Sequence, residues 1–281
     1  MLAAAVVIAV FASPTEPRSR ASVAIVPPPA AGLTSKPAHH RSRAHAQPGS
    51  GSRAARLADQ TISRVLAYTP FVRAGVPRRR VIALTFDDGP SPYTPEIVRV
   101  LTRMHVPATF FVVGQQLNYF AAGLRDELRH GFVIGDHTEN HPPMNRLSAA
   151  AQYGQVDDVA RRIHHLGAPF PRLFRPPYGL YNANTMKTLR RLHMLMVMWS
   201  VDPADWLRPG TLTIVQRVLE AARPGTIVEL HDGGGDRSQT AAALPAIIRG
   251  LRRRHYQLVT MPQLLKADPP PHKQRLGHLA E

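Results

Sequence analysis

Between residues 81 and 260, seven short strand-like runs alternate with six helical patterns, and few folds accommodate that order. The runs are Val81–Phe86, Ala108–Val113, Phe132–Ile134, Arg172–Phe174, Met194–Trp199, Thr226–Leu230 and Tyr256–Thr260. Helical patterns fall between them at Pro95–Met104, Asn118–His130, Ser148–Leu166, Asn182–Leu192, Thr211–Ala222 and Thr240–Arg253. Ser148 and Asn182 stand where N-caps belong, and Gly131 and Gly167 follow helix ends. Strands that alternate with helices run parallel, joined by right-handed crossovers. Such a sheet either lies open and doubly wound or closes into a barrel. No GxGxxG or GxxxxGKS/T follows any run, which weakens the nucleotide-binding open sheets and favours a barrel.

The length of 281 residues suits one barrel-sized domain or two small ones, and a 44% hydrophobic content supplies a sizeable core. With no cysteine, disulfides, thiolate zinc sites and cysteine nucleophiles are excluded. Leu2–Ala12 is an apolar stretch of signal-peptide length, too short for a standard membrane span, and predicts export or anchoring outside the cytoplasm. Residues 13–56 read as a disordered basic linker rich in Pro, Ala, Ser, Gly and Arg. Residues 57–267 read as one catalytic domain, and residues 268–281 as a short tail. The formal charge of +16 is uneven: residues 13–80 hold twelve Lys/Arg against Glu16 and Asp59. The linker is therefore expected to touch an anionic cell wall or membrane surface. Without interleaved aromatics or a nucleic-acid fold, specific nucleic-acid binding is not expected, and the domain reads as a monomer.

In α/β barrels chemistry gathers at the C-terminal ends of the strands. Five runs here end in chemically loaded tails. The first stops on Asp87-Asp88, whose like charges repel unless a cation or an arginine offsets them. The third continues into Asp136-His137-Thr138-Glu139-Asn140-His141, the fourth into Arg175-Pro176-Pro177-Tyr178-Gly179, the fifth into Ser200–Trp206 and the sixth into His231-Asp232. On one helical turn His137 and His141 would share a side, although Pro142 and Pro143 make this a turn or loop site. One carboxylate from the first run completes a two-His, one-carboxylate set that leaves metal positions open for water and substrate. Nitrogen and oxygen donors without sulfur suit Zn²⁺, with Co²⁺, Ni²⁺ or Fe²⁺ as alternatives. Either Asp202 or Asp205 could pair with His231 or Arg175, and Gly233–Gly235 could form a flexible loop at the site mouth or a plain connection.

The order TFDDGP (Thr85–Pro90), HTENH (His137–His141), RPPYG (Arg175–Gly179), DPADW (Asp202–Trp206) and ELHD (Glu229–Asp232) closely resembles the polysaccharide deacetylases, carbohydrate esterase family four. The resemblance spans roughly residues 80–262. It implies a distorted seven-stranded (β/α) barrel and metal-dependent removal of acetyl groups from sugar polymers. It further implies Asp88, His137 and His141 as metal ligands, Asp87 as general base and Arg175 as the group that orients Asp87. The backbone N–H of Tyr178 would face the oxyanion, His231 would be the general acid supported by Asp202, and Trp206 would line the groove. One departure is Val228, where the family carries Leu in the acetyl pocket. The expected substrate is an N-acetylglucosamine polymer, peptidoglycan first, with chitin oligomers or acetylated xylan as alternatives. A non-catalytic glycan-binding protein and an arginine-rich nucleic-acid binder are the competing classes.

Overall fold

The computed structural model describes residues 49–274; the expected export segment and residues 13–48 of the linker lie outside the described residues. The strands are β1 (Phe71–Val72), β2 (Val81–Asp87), β3 (Thr109–Val112), β4 (Val133–Asp136), β5 (Leu173–Phe174), β6 (Leu195–Val197), β7 (Ile227–His231) and β8 (Gln257–Val259). The helices are α1 (Gly49–Leu66), α2 (Thr94–Arg103), α3 (Leu117–Arg129), α4 (Ala149–His165), α5 (Ala183–Arg191), α6 (Thr211–Ala221), α7 (Ser238–Arg253) and α8 (Met261–Ala267). Every expected strand and helix forms; β1, α1 and α8 are additions.

All pairings are parallel, in the order β1-β6-β5-β4-β3-β2-β7, with β8 against the first residues of β2. The sheet curls until Val201, just beyond β6, bridges Val228 of β7, where Glu229 N–H donates to Val201 O at 2.9 Å. The Ser200 and Val201 amides also donate to Ile227 O, so only short backbone contacts close the seam and the barrel is distorted, as the family resemblance implies.

The period-2 alternation sorts the strand side chains. Ile82, Leu84 and Phe86 of β2 join Val228 and Leu230 of β7 in a cluster with Ile97, Leu101, Ile247 and Ile248 of the surrounding helices. Val81 and Ala83 instead share the inner cluster with Leu195, Val197 and Ile227. Ile62 and Val65 of α1 and Met261, Leu264 and Leu265 of α8 complete that inner cluster beside the strand starts. Burying side chains of this size stabilises by about 1.5–3 kcal/mol each. The strand ends opposite are left free for polar groups.

Three expectations are corrected. Residues 49–56, assigned to the linker, form the opening turns of α1. Residues 268–274, assigned to a tail, dock on the domain. Buried Asp268 accepts the Arg79 amide, His272 stacks on Tyr68, and the Gln274 side chain bonds Thr69 and Phe71. Val228, expected in an acyl pocket, faces the helices, because Asp87 and His231 point inward and strand alternation therefore turns residue 229 inward. Among the described residues no helix is long and apolar enough to cross a membrane.

Candidate active site

The strand ends bring Asp87, Asp88, His137, His141, Arg175, Tyr178 and His231 together. Asp87 is the last residue of β2, and Asp88 follows in the left-handed region at φ 72°. The loop after β7 fixes that turn. A Cβ on Gly233 would stand 2.1 Å from Asp88 O, so only glycine permits this approach. Arg237 donates to Gly233 O and Gly234 O at 2.6 and 2.8 Å. Gly233 and Gly234 thus stand against Asp88 at the β2 end, while Gly235 is exposed beyond them.

His137 and His141 converge without a helical turn. The chain beyond β4 takes left-handed residues at Thr138 (φ 70°) and His141 (φ 57°), and His141 N–H donates to Thr138 Oγ1 at 3.0 Å. His137 Nδ1–H donates to Arg175 O at 2.7 Å, which turns Nε2 towards Asp88 Oδ1 at 3.5 Å. His141 Nε2 lies 3.1 Å from the same oxygen, and His141 Nδ1 hydrogen-bonds the Tyr178 hydroxyl at 3.1 Å. Tyr178 is exposed and sits at φ 59°.

Donors held about 2.0–2.2 Å from a tetrahedral metal stand about 3.4 Å apart, and the spacings to Asp88 Oδ1 bracket that value. Among the described residues, buried Asp88 Oδ1 has no hydrogen-bond partner. With its Nδ1–H donated to a carbonyl, His137 turns an Nε2 lone pair to the carboxylate oxygen, and His141 does the same in the tautomer that donates to Tyr178 Oη, an arrangement that a cation completes. Burial opposes the charge on Asp88, but when both imidazoles are protonated their hydrogen bonds and charge outweigh it and hold the carboxyl well below the usual range.

Arg175, on the chain leaving β5, is completely buried. Its Nη1 donates to Asp87 Oδ1 at 2.7 Å and to Thr85 Oγ1 at 2.8 Å, while Nε donates to Val197 O at 3.1 Å. Phe111 lies under the guanidinium at 4.3 Å. The planar fork is thereby locked, and Asp87 with it; breaking a buried pair of this kind costs about 3–5 kcal/mol.

Opposite stands His231. Its Nδ1–H donates to Asp205 Oδ1 at 2.7 Å, while Asp205 Oδ2 accepts the His231 amide at 2.9 Å and the Thr240 hydroxyl at 2.7 Å. The expectation that Asp202 supports His231 is therefore corrected. Asp202 is exposed, and its Oδ1 accepts the Ala204 amide at 2.6 Å; Ala204 then turns left-handed and delivers the next residue, buried Asp205, to the imidazole. Burial disfavours the His231 cation, but Asp205, with Asp87 and Asp88 beyond it, raises its pKa to about 10. Trp206 follows half exposed on the same turn.

The polysaccharide deacetylase family model matches residues 74–197. A Bradyrhizobium chitooligosaccharide deacetylase is 40% identical over 198 residues, 66% of this chain and 90% of the relative. The chain belongs to the polysaccharide deacetylases. A Bacillus cereus peptidoglycan-N-acetylglucosamine deacetylase is 38% identical over 209 residues, 73% of this chain and 98% of the relative. Among solved structures, a peptidoglycan N-acetylglucosamine deacetylase bound to a benzamide compound superimposes with a TM-score of 0.69 at 30% identity, covering 74% of this chain and 98% of that one. A Bacillus anthracis family-four pseudoenzyme matches with a TM-score of 0.67 at 28% identity, covering 72% and 70% of the two chains. The family thus includes members described as active and one described as a pseudoenzyme.

Sequence reasoning missed two acidic residues in this deacetylase site. Glu229 of β7 is buried and brings a carboxylate oxygen within 4.8 Å of donor atoms of Asp87 and His231. Burial first, then Asp87, push its carboxyl well above the usual range, while Arg175 and His231 oppose the shift. Asp232, fully buried, accepts from the Thr94 hydroxyl; burial, Asp88 and Asp87 push it up to about 7. The inward alternation from Asp87 and His231 was the available signal for Glu229. Asp232 had none beyond adjacency to His231.

Proposed function

We propose that this chain is a metal-dependent N-deacetylase of N-acetylglucosamine-containing polysaccharide, acting outside the cytoplasm, with peptidoglycan as its first substrate. The observation that carries the reading is the placement of a buried, arginine-locked carboxylate and a charged imidazole on two sides of a two-His, one-Asp donor set. Asp88, His137 and His141 would hold a divalent cation, Zn²⁺ fitting these donors best, with Co²⁺ or Ni²⁺ as substitutes. A cation there supplies Lewis-acid polarisation of an acyl carbonyl and a more acidic bound water.

The remaining chemistry belongs to the chain. Asp87, with Oδ1 held by Arg175 and Oδ2 turned towards His137 Nε2 at 4.0 Å, is placed to take the proton of an attacking water. Arg175 holds that carboxylate in one rotamer. The Tyr178 amide, in a left-handed turn beside His141, would donate to the developing oxyanion; losing one such donor typically costs ~10²–10³ in rate. His231 is charged at neutral pH and gives its proton to the departing amine, a step an amide leaving group requires more than an ester does. That distinction favours N-acetyl over O-acetyl substrates and so ranks acetylated xylan last.

Similarity to both a peptidoglycan and a chitooligosaccharide deacetylase supports an N-acetylglucosamine polymer. Acetate release by the zinc-loaded protein, measured in parallel on peptidoglycan, chitin oligomers and acetylated xylan, tests the order. Peptidoglycan turnover should lead. Acetate from xylan alone would overturn the N-deacetylase reading.

A further inference from the structure

Glu229 has no function in the chemistry set out above, yet it is an acidic side chain at an inward position of a strand whose previous inward residue, Ile227, is core. It is 6% exposed, and no hydrogen bond to its carboxylate is found among the described residues. Donor atoms of Asp87, Glu229 and His231 all lie within 4.8 Å of one another. Asp87 and Glu229 each turn a carboxylate oxygen into that space, and His231 offers Nε2 once that nitrogen has lost its proton. Arg175 occupies only Oδ1 of Asp87, and Asp205 occupies Nδ1 of His231, which leaves Nε2. Three convergent N/O donors are the usual means of holding a borderline divalent ion.

We propose that Asp87, Glu229 and His231 form a second, weaker divalent-cation site adjoining the Asp88, His137 and His141 set, and that filling it blocks the enzyme. The two donor sets are close: Asp87 Oδ2 stands 4.0 Å from His137 Nε2. The second site is the weaker because Arg175 stands against Asp87 and repels an incoming cation, and because His231 must give up its proton first. Blocking follows from the donors themselves: a cation there removes the lone pair that Asp87 needs and the proton that His231 gives. The blocking clause rests on the deacetylase reading; the site itself does not.

The test uses the full chain, zinc alone as the probe, and the variants Glu229→Gln and Glu229→Leu. Calorimetric titration of metal-stripped protein should show two zinc equivalents for the unaltered chain, the second at least tenfold weaker. Both variants should keep the first equivalent at unchanged affinity and lose the second. Each protein's turnover at high zinc, relative to its own turnover at one equivalent, should fall at least tenfold for the unaltered chain and stay level for the variants. One equivalent in the unaltered chain up to millimolar zinc, or two in the variants, overturns the site. Two equivalents with turnover undiminished overturns the blocking. Two equivalents reduced to one by Glu229→Gln, with no acetate from any protein at any zinc level, would keep the site and sink the deacetylase reading instead.

Discussion

Replacing Asp205 with Asn should move the alkaline limit of turnover towards neutral pH. His231 is held charged up to about 10 by Asp205, whose Oδ1 accepts the Nδ1 proton at 2.7 Å. The folded pKa is raised above the ordinary value, so the acid is present below about pH 10 and lost as pH rises through that value. An Asn amide that keeps its oxygen on the His231 amide and Thr240 turns its NH₂ towards Nδ1, which cannot then donate. A hydrogen bond to a charged group is worth about 1.5–3 kcal/mol, and 1.36 kcal/mol is one pKa unit. The basic limb of kcat/KM should therefore shift about 1–2 units to lower pH. Between the two limbs the ratio of unaltered to variant activity should grow about tenfold per pH unit, while the acid limb stays in place. Asp202→Asn is the control, because among the described residues the Asp202 side chain hydrogen-bonds only the Ala204 amide. The assay is acetate release from a soluble chitooligosaccharide across pH at fixed metal. A limb that stays put in Asp205→Asn, or that moves in Asp202→Asn, would refute the argument.

Three further outcomes follow from the same geometry. His137→Ala or His141→Ala should abolish tight metal binding and turnover together, measured by metal content after dialysis and by acetate release. Asp87→Asn should keep the metal while turnover falls by about 10²–10⁴, the usual range for a lost general base, whereas Asp88→Asn should weaken the metal itself; the reverse pattern would exchange their roles. Arg175→Ala leaves Asp87 buried without its partner, so thermal unfolding should show a loss of about 3–5 kcal/mol, near 2–4 °C per kcal/mol for a domain this size.

Much of the barrel was readable because apolar runs and 3.6-residue patterns alternate strictly, and because strand direction places every run's C-terminal end on one face. What stayed hidden depends on backbone turns and on cover. α1 opens on Gly49-Ser50-Gly51-Ser52, a linker-like composition, although Ile62 and Val65 seal the strand starts. The His137/His141 spacing gave the correct pair by a different local route, since two left-handed residues converge the rings where a helix was one expectation. Asp202 and Asp205 are equivalent by residue type; the left-handed Ala204 between them decides which one reaches His231. Val228 and Glu229 were separable in principle, because one step of strand alternation from His231 settles which faces the site.

The central claim is that a cation held by Asp88, His137 and His141 serves a base at Asp87 and an acid at His231 to release acetate. Acetate and new glucosamine amines, counted together while metal-stripped protein is titrated with zinc on an N-acetylglucosamine oligomer, test it most directly. The account predicts matched acetate and amine that rise to a maximum at one zinc equivalent, and neither product from His141→Ala. Full turnover by the chelated protein, or a zinc-loaded chain that binds the oligomer and releases nothing, as expected of a pseudoenzyme like its structural neighbour, would contradict it.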